Sequence, residues 1–70
     1  MNFVNVVSSN LARVGYNPST REMTVVFHNQ RAYTYSGVPE SVYTGLISAG
    51  SVGRYFHSFV QNNYPFRHGF

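Results

Sequence analysis

Seventy residues supply one domain and leave no room for a second, so residues 1–70 are read as a single unit with a thin stability margin. The absence of cysteine excludes a disulfide framework and a thiolate metal site. No stretch approaches the ~20 apolar residues of a membrane span and no charged segment precedes an apolar run, so a reduced, cytoplasmic setting with no membrane partner is expected.

The formal charge of +3 comes from five arginines and no lysine against Glu22 and Glu40, which permits an anionic partner without demanding one. Six Tyr and six Phe allow a short chain to build its core from a few large rings.

Leu11 to Tyr16 alternates loosely and is closed by Asn17-Pro18-Ser19-Thr20, a strong turn signal. Glu22 to His28 alternates cleanly, with Met23, Val25 and Phe27 on one face and Thr24, Val26 and His28 on the other. Asn29-Gln30 marks a tight reversal, and Arg31 to Ser36 makes a third strand. Gly37-Val38-Pro39-Glu40 switches strand to helix, since proline fits a first helical turn and Glu40 there complements the helix dipole.

Val42, Leu46 and Ala49 then recur at helical spacing, with Gly50 as the expected stop. Gly45 lies inside this helix, where glycine is costly unless it admits a close neighbour; a helix–sheet approach is expected. Ser51 caps a second helix, whose stripe of Val52, Tyr55, Phe56, Phe59 and Val60 is amphipathic, and Asn62-Asn63 ends it. Tyr64 to Phe70 is an aromatic tail. The expected fold is α+β: a three-stranded antiparallel β-meander followed by two short α-helices packed on one face.

The direction of Tyr33 and Tyr35 depends on hairpin register. A two-residue loop pairs His28 with Arg31 and puts the tyrosines on the Thr24 and Val26 face. A three-residue loop sets Val25 opposite Tyr33 and Met23 opposite Tyr35. The second register segregates apolar from polar side chains more cleanly and is preferred. In it the tyrosines pack under the helices, with hydroxyls at the rim, and form no open stacking platform.

Ser8-Ser9-Asn10, Val14-Gly15-Tyr16-Asn17, Tyr33-Thr34-Tyr35 and Gly37-Val38-Pro39 together resemble the KTSC domain. Val42-Tyr43, Gly53-Arg54-Tyr55-Phe56 and Tyr64-Pro65 extend the resemblance from about Val7 to Arg67. No single motif is specific; their order and spacing together are. Tyr33, Tyr35, Gly53, Tyr55 and Phe56 are the structural part of that pattern. The family takes its name from the C-termini of some lysyl-tRNA synthetases and also occurs as short stand-alone bacterial and phage proteins. The resemblance therefore implies a fold and, through the fusion context, a lead towards RNA. Asn17 stands where the family usually has Asp, and Gln30 where it often has Gly. The second departure weakens a bulged turn, because glycine most easily supplies a positive φ.

The candidate binding residues are Arg13, Arg31, Arg54, His57, Tyr64, Arg67 and His68, a basic-aromatic set suited to phosphate contact and base stacking. Against this stands the plainer reading that Tyr64 and Phe66 close the small core and Arg54 is a solvated helix face. An RNase-like pair of His57 and His68 has no supporting carboxylate or cation nearby in sequence, so surface histidines explain the pattern better. Ser8-Ser9 reads as turn residues rather than a nucleophile. No i, i+4 histidine pair exists, and no metal or cofactor is implied. The expected function is a small non-catalytic module binding RNA or tRNA through Arg and aromatic side chains, with steep salt dependence. The alternative is a protein-interaction module, for example a small phage or mobile-element protein docking on a host complex.

Overall fold

The computed structural model describes all 70 residues. One antiparallel sheet contains β1 (Asn2–Asn5), β2 (Leu11–Asn17), β3 (Glu22–Phe27), β4 (Ala32–Tyr35) and β5 (Phe66–His68), in spatial order identical to chain order. Between β4 and β5 come α1 (Glu40–Ile47) and α2 (Val52–Tyr55), the latter running directly into a π-helical turn over Phe56–Val60. The α+β class and the central meander agree with expectation, but three strands undercount the sheet by two. A bare meander leaves a row of unpaired N–H and C=O groups on each outer strand. The segment Asn2–Asn5 pairs with one of those edges, and the aromatic tail pairs with the other.

Both central turns are built from local bonds. Asn17 Oδ1 accepts from the Ser19 N–H at 3.0 Å, and Arg21 follows at φ 59°. That turn needs only an acceptor oxygen, so asparagine serves as well as aspartate. In the next hairpin Met23 pairs with Tyr35 and Val25 with Tyr33, the register of the three-residue loop. Gln30 takes φ 73°, donating its N–H to the Phe27 carbonyl at 3.1 Å. The bulged turn thus forms without glycine.

Met23, Val25 and Tyr35 on one face of the sheet pack against Leu46, Val52, Phe56 and Val60 from the helices, all of them buried. Each such aliphatic side chain stabilises the fold by roughly 1.5–3 kcal/mol. Tyr16 ties β2 to the entry of α1: its hydroxyl donates to the Val38 carbonyl at 2.5 Å, and its ring stacks on Tyr43 at 5.0 Å.

Three helix expectations change. The first helix ends at Ile47 with Ser48 as a right-handed cap, so Gly50 lies beyond the stop. A methyl group on Gly45 would overlap the phenol of Tyr55, so this glycine admits helix to helix, not helix to sheet. The π turn, closed by Gln61 N–H donating to the Phe56 carbonyl at 2.9 Å, is wider than an α turn. It keeps Val52, Phe56 and Val60 buried at four-residue spacing and rotates Phe59 outward to 53% exposure. Ser51 caps as expected, accepting from the Arg54 N–H, and Asn62 ends the turn at φ 73°.

The opposite face of the sheet is also covered at its centre. Thr24 and Thr34 are buried there with their hydroxyl oxygens 2.7 Å apart. Thr34 donates to the Gly69 carbonyl, so Thr24 must donate to Thr34. Phe3 lies over Gly15, and Phe70 meets it edge-on at 5.7 Å between centroids.

Candidate functional site

Side-chain alternation decides what each strand offers the helix-covered face. Tyr33 and Tyr35 of β4 point there, as do their cross-strand partners His68 and Phe66 of β5. The helices cover Tyr35, which is 5% exposed, but stop short of the β4–β5 side near the hairpin. What remains is one open cleft of about 910 Å³.

Its floor is aromatic. Tyr33 meets Phe27 at 5.7 Å and Phe66 at 5.5 Å, both edge to face, and lies 4.7 Å from the His68 ring. Tyr35 and Phe27 each meet Phe56 edge-on behind it. The walls are polar: Gln61, Asn62 and Asn63 after the π turn on one side, Ser9, Asn10 and Asn29 on the other. No Asp, Glu, Lys or Arg lines it. Neither tyrosine hydroxyl of β4 has a hydrogen-bond partner within the chain, although both residues line the cleft. Burial, and then the neighbouring Tyr33, push the Tyr35 phenol above its ordinary value, so it is a neutral donor at physiological pH.

All three histidines border this cleft. His28 comes from the β3–β4 hairpin, and its Nε2 lies 2.9 Å from the Ser8 carbonyl. His57 comes from the π turn, with Nδ1 2.8 Å from Gln61 Oε1. His68 comes from β5. No three His, Asp or Glu side chains are grouped as metal ligands. Ser8 is occupied in a turn, its Oγ accepting from the Asn10 and Leu11 N–H groups.

Of the residues singled out in the sequence, the fold brings His57, Tyr64 and His68 to the cleft, together with the structural Tyr33, Tyr35 and Phe56. The arginines do not gather there. Arg13 sits on the far face of the sheet, its guanidinium 5.8 Å from the centre of the Phe3 ring. Arg67 alternates with Phe66 and His68, so it also faces away, bonded to Glu22 at 2.7 Å. That hydrogen bond, reinforced by charge attraction, holds the Glu22 carboxyl below its ordinary value. Arg54 is exposed on α2. Arg31 lies on the cleft's face at the exposed hairpin end: its carbonyl accepts from Phe27 N–H, and it has the parity of Tyr33. A joint surface of Arg13, Arg31 and Arg54 is therefore not formed, because strand alternation sends Arg13 to the side opposite the helices. Gly53 and Tyr55 lie outside the cleft, where Tyr55 fills the space above Gly45.

The asparagines and His28 are cleft residues that the sequence pattern did not single out for binding. A family model described as the KTSC domain matches residues 7–64. The chain belongs to the KTSC domain family. A crystal structure of a KTSC domain protein from Yersinia pestis superimposes with a TM-score of 0.94 at 32% identity, covering 99% of this chain and 97% of that one. An uncharacterized protein of Stutzerimonas stutzeri is 37% identical over 57 residues, 81% of this KTSC chain and 80% of the relative. The lysine–tRNA ligase of a Nostoc species is 35% identical over 51 residues, which is 73% of this chain but only 9% of the ligase.

Proposed function

We propose that this KTSC domain is a small non-catalytic module that binds single-stranded RNA by taking an unstacked base into the aromatic cleft. The observation that carries the proposal is a cleft lined by the half-buried Tyr33 and the exposed Phe66 and His68 together with several side-chain amides. Rings stack on any base, and amides bond to base edges, so the cleft offers both parts of recognition for a splayed nucleotide. The likeness to a segment of a lysine–tRNA ligase supports the same class of partner.

With Arg13 and Arg67 on the far face, few cationic groups reach the phosphates of a strand in the cleft. The expected salt dependence is therefore shallower than the sequence implied. One or two phosphate contacts at a slope of about −0.7 each lose less than about tenfold in affinity between 50 and 200 mM salt.

The test is titration of labelled oligouridine at 50 mM salt against the parent chain and Phe66→Ala. Phe66 is 55% exposed, so its removal leaves the core intact. Loss of one stacking ring costs about 1–3 kcal/mol, roughly 5- to 150-fold in Kd. Equal affinity of the two proteins sinks the reading.

A protein-docking function has a separate observation in its favour. Phe59, exposed and 4.6 Å from the Tyr55 ring beside Arg54, is an aromatic-Arg patch outside the cleft, of the composition found at interface hot spots. Partner binding that survives Phe66→Ala belongs to that patch.

A further inference from the structure

The cleft's lining holds every histidine of the chain and no other cationic or anionic side chain. We propose that the phosphate of the cleft's ligand is held by His28, His57 and His68 in their protonated form, so that the site takes a phosphate-bearing strand in proportion to histidine charge. This rests on the reading of the cleft as a single-strand site, and specifies which groups meet the anion.

The three rings come from three separate elements, the hairpin, the π turn and β5, and tertiary structure sets all three along the same cleft. Two are oriented by bonds compatible with the charged state. A carbonyl oxygen can only accept, so His28 Nε2 donates to Ser8. With Gln61 Oε1 as acceptor, His57 donates from Nδ1, which leaves Nε2 to take the second proton. His68 lies against the Tyr33 ring at 4.7 Å.

The surroundings do not cancel that charge. The other titratable groups of the lining are the phenols of Tyr33, Tyr35 and Tyr64, and none is a carboxylate. Glu22 is engaged by Arg67 on the far side of the sheet, and Glu40 starts α1 outside the cleft. Arg31, at the hairpin end, adds a fixed positive charge on the same face. Positive charge gained by the histidines as pH falls therefore meets no compensating carboxylate in the lining.

The sign follows from linkage. An anion that binds the protonated rings more tightly raises their proton affinity, so its own affinity rises as pH falls. One unit of such preference corresponds to about a tenfold change in Kd. The experiment is titration with labelled oligouridine, whose bases do not ionise between pH 5 and pH 8, and in parallel with a neutral-backbone oligomer of the same bases. The RNA should bind at least about tenfold more tightly at pH 5 than at pH 8, and the neutral oligomer equally at both. A His28→Gln, His57→Gln chain, which leaves the stacking rings in place, should lose most of the difference between pH 5 and pH 8. His57→Gln alone, at an exposed position, is the fallback if the double variant does not fold.

Near-ultraviolet circular dichroism at both pH values checks that the fold is constant. RNA affinity that is lost by Phe66→Ala yet flat with pH overturns the histidine subsite and leaves the stacking cleft standing. A pH dependence equal for RNA and the neutral oligomer also overturns it. No binding at any pH removes both readings.

Discussion

Gln30 shows how a single side chain can sit at odds with its backbone and still leave the turn intact. Its φ of 73° lies in the left-handed region, which disfavours residues with a Cβ. The hairpin nevertheless closes, because Phe27 and Arg31 exchange a backbone bond of 2.8 Å and the strands beyond them bury Val25 and Tyr35. Gln30→Gly removes the steric cost and adds some unfolded-state entropy. It is expected to raise stability by about 0.5–1 kcal/mol, read as a shift in urea midpoint at unchanged slope. A lower midpoint would mean that the Gln30 side chain makes a contribution greater than its backbone strain.

This hairpin was the most legible part of the chain. Met23, Val25 and Phe27 against Thr24 and His28 left one register with a clean apolar face, and that register is the one formed. The histidines were the least legible. At positions 28, 57 and 68 they share no local period, and only the closing of β5 against β4 brings the third to the cleft that the first two border.

At the scale of elements, the two helices are joined by the absence of a side chain. Gly45 gives up helix propensity, and the Tyr55 phenol occupies the space a methyl group would need. Gly45→Ala gains about 1 kcal/mol of propensity but must displace a stiff ring already packed at a tilt against Phe59, and overpacking typically costs 1–3 kcal/mol. Net destabilisation of about 1 kcal/mol is expected in equilibrium unfolding. The nearest atom is the hydroxyl, so the same substitution in a Tyr55→Phe background should cost less. Equal costs in both backgrounds would show that the helices part instead.

The π turn explains why a regular 3.6-residue stripe misplaced Phe59. Periodicity assumes a constant turn width, and one i→i+5 bond at Phe56 is enough to move the next ring out of the core. The outer strands escaped notice for another reason. Asn2–Asn5 and Phe66–His68 span four and three residues, too short for alternation to stand out, and they exist because their neighbours need partners.

On the scale of the whole molecule, the sheet divides two tasks between its sides. The helix side holds the core and the cleft. The other side carries Arg13, the Arg67–Glu22 pair and the buried threonine hydroxyls, sealed by Phe3 and Phe70. Strand alternation alone enforces the split, since Phe66 and His68 serve one side while Arg67 between them serves the other.

Because residues 3 and 70 touch, a short glycine-rich splice from Phe70 back to Met1 would convert the chain into a near-loop, and fresh ends could be opened at the exposed Gly50–Ser51 junction. Such a circularly rearranged protein is expected to keep its near-ultraviolet spectrum. A tether to any larger body would likewise leave from the rear of the sheet, with the ring-lined mouth turned towards whatever approaches from the front.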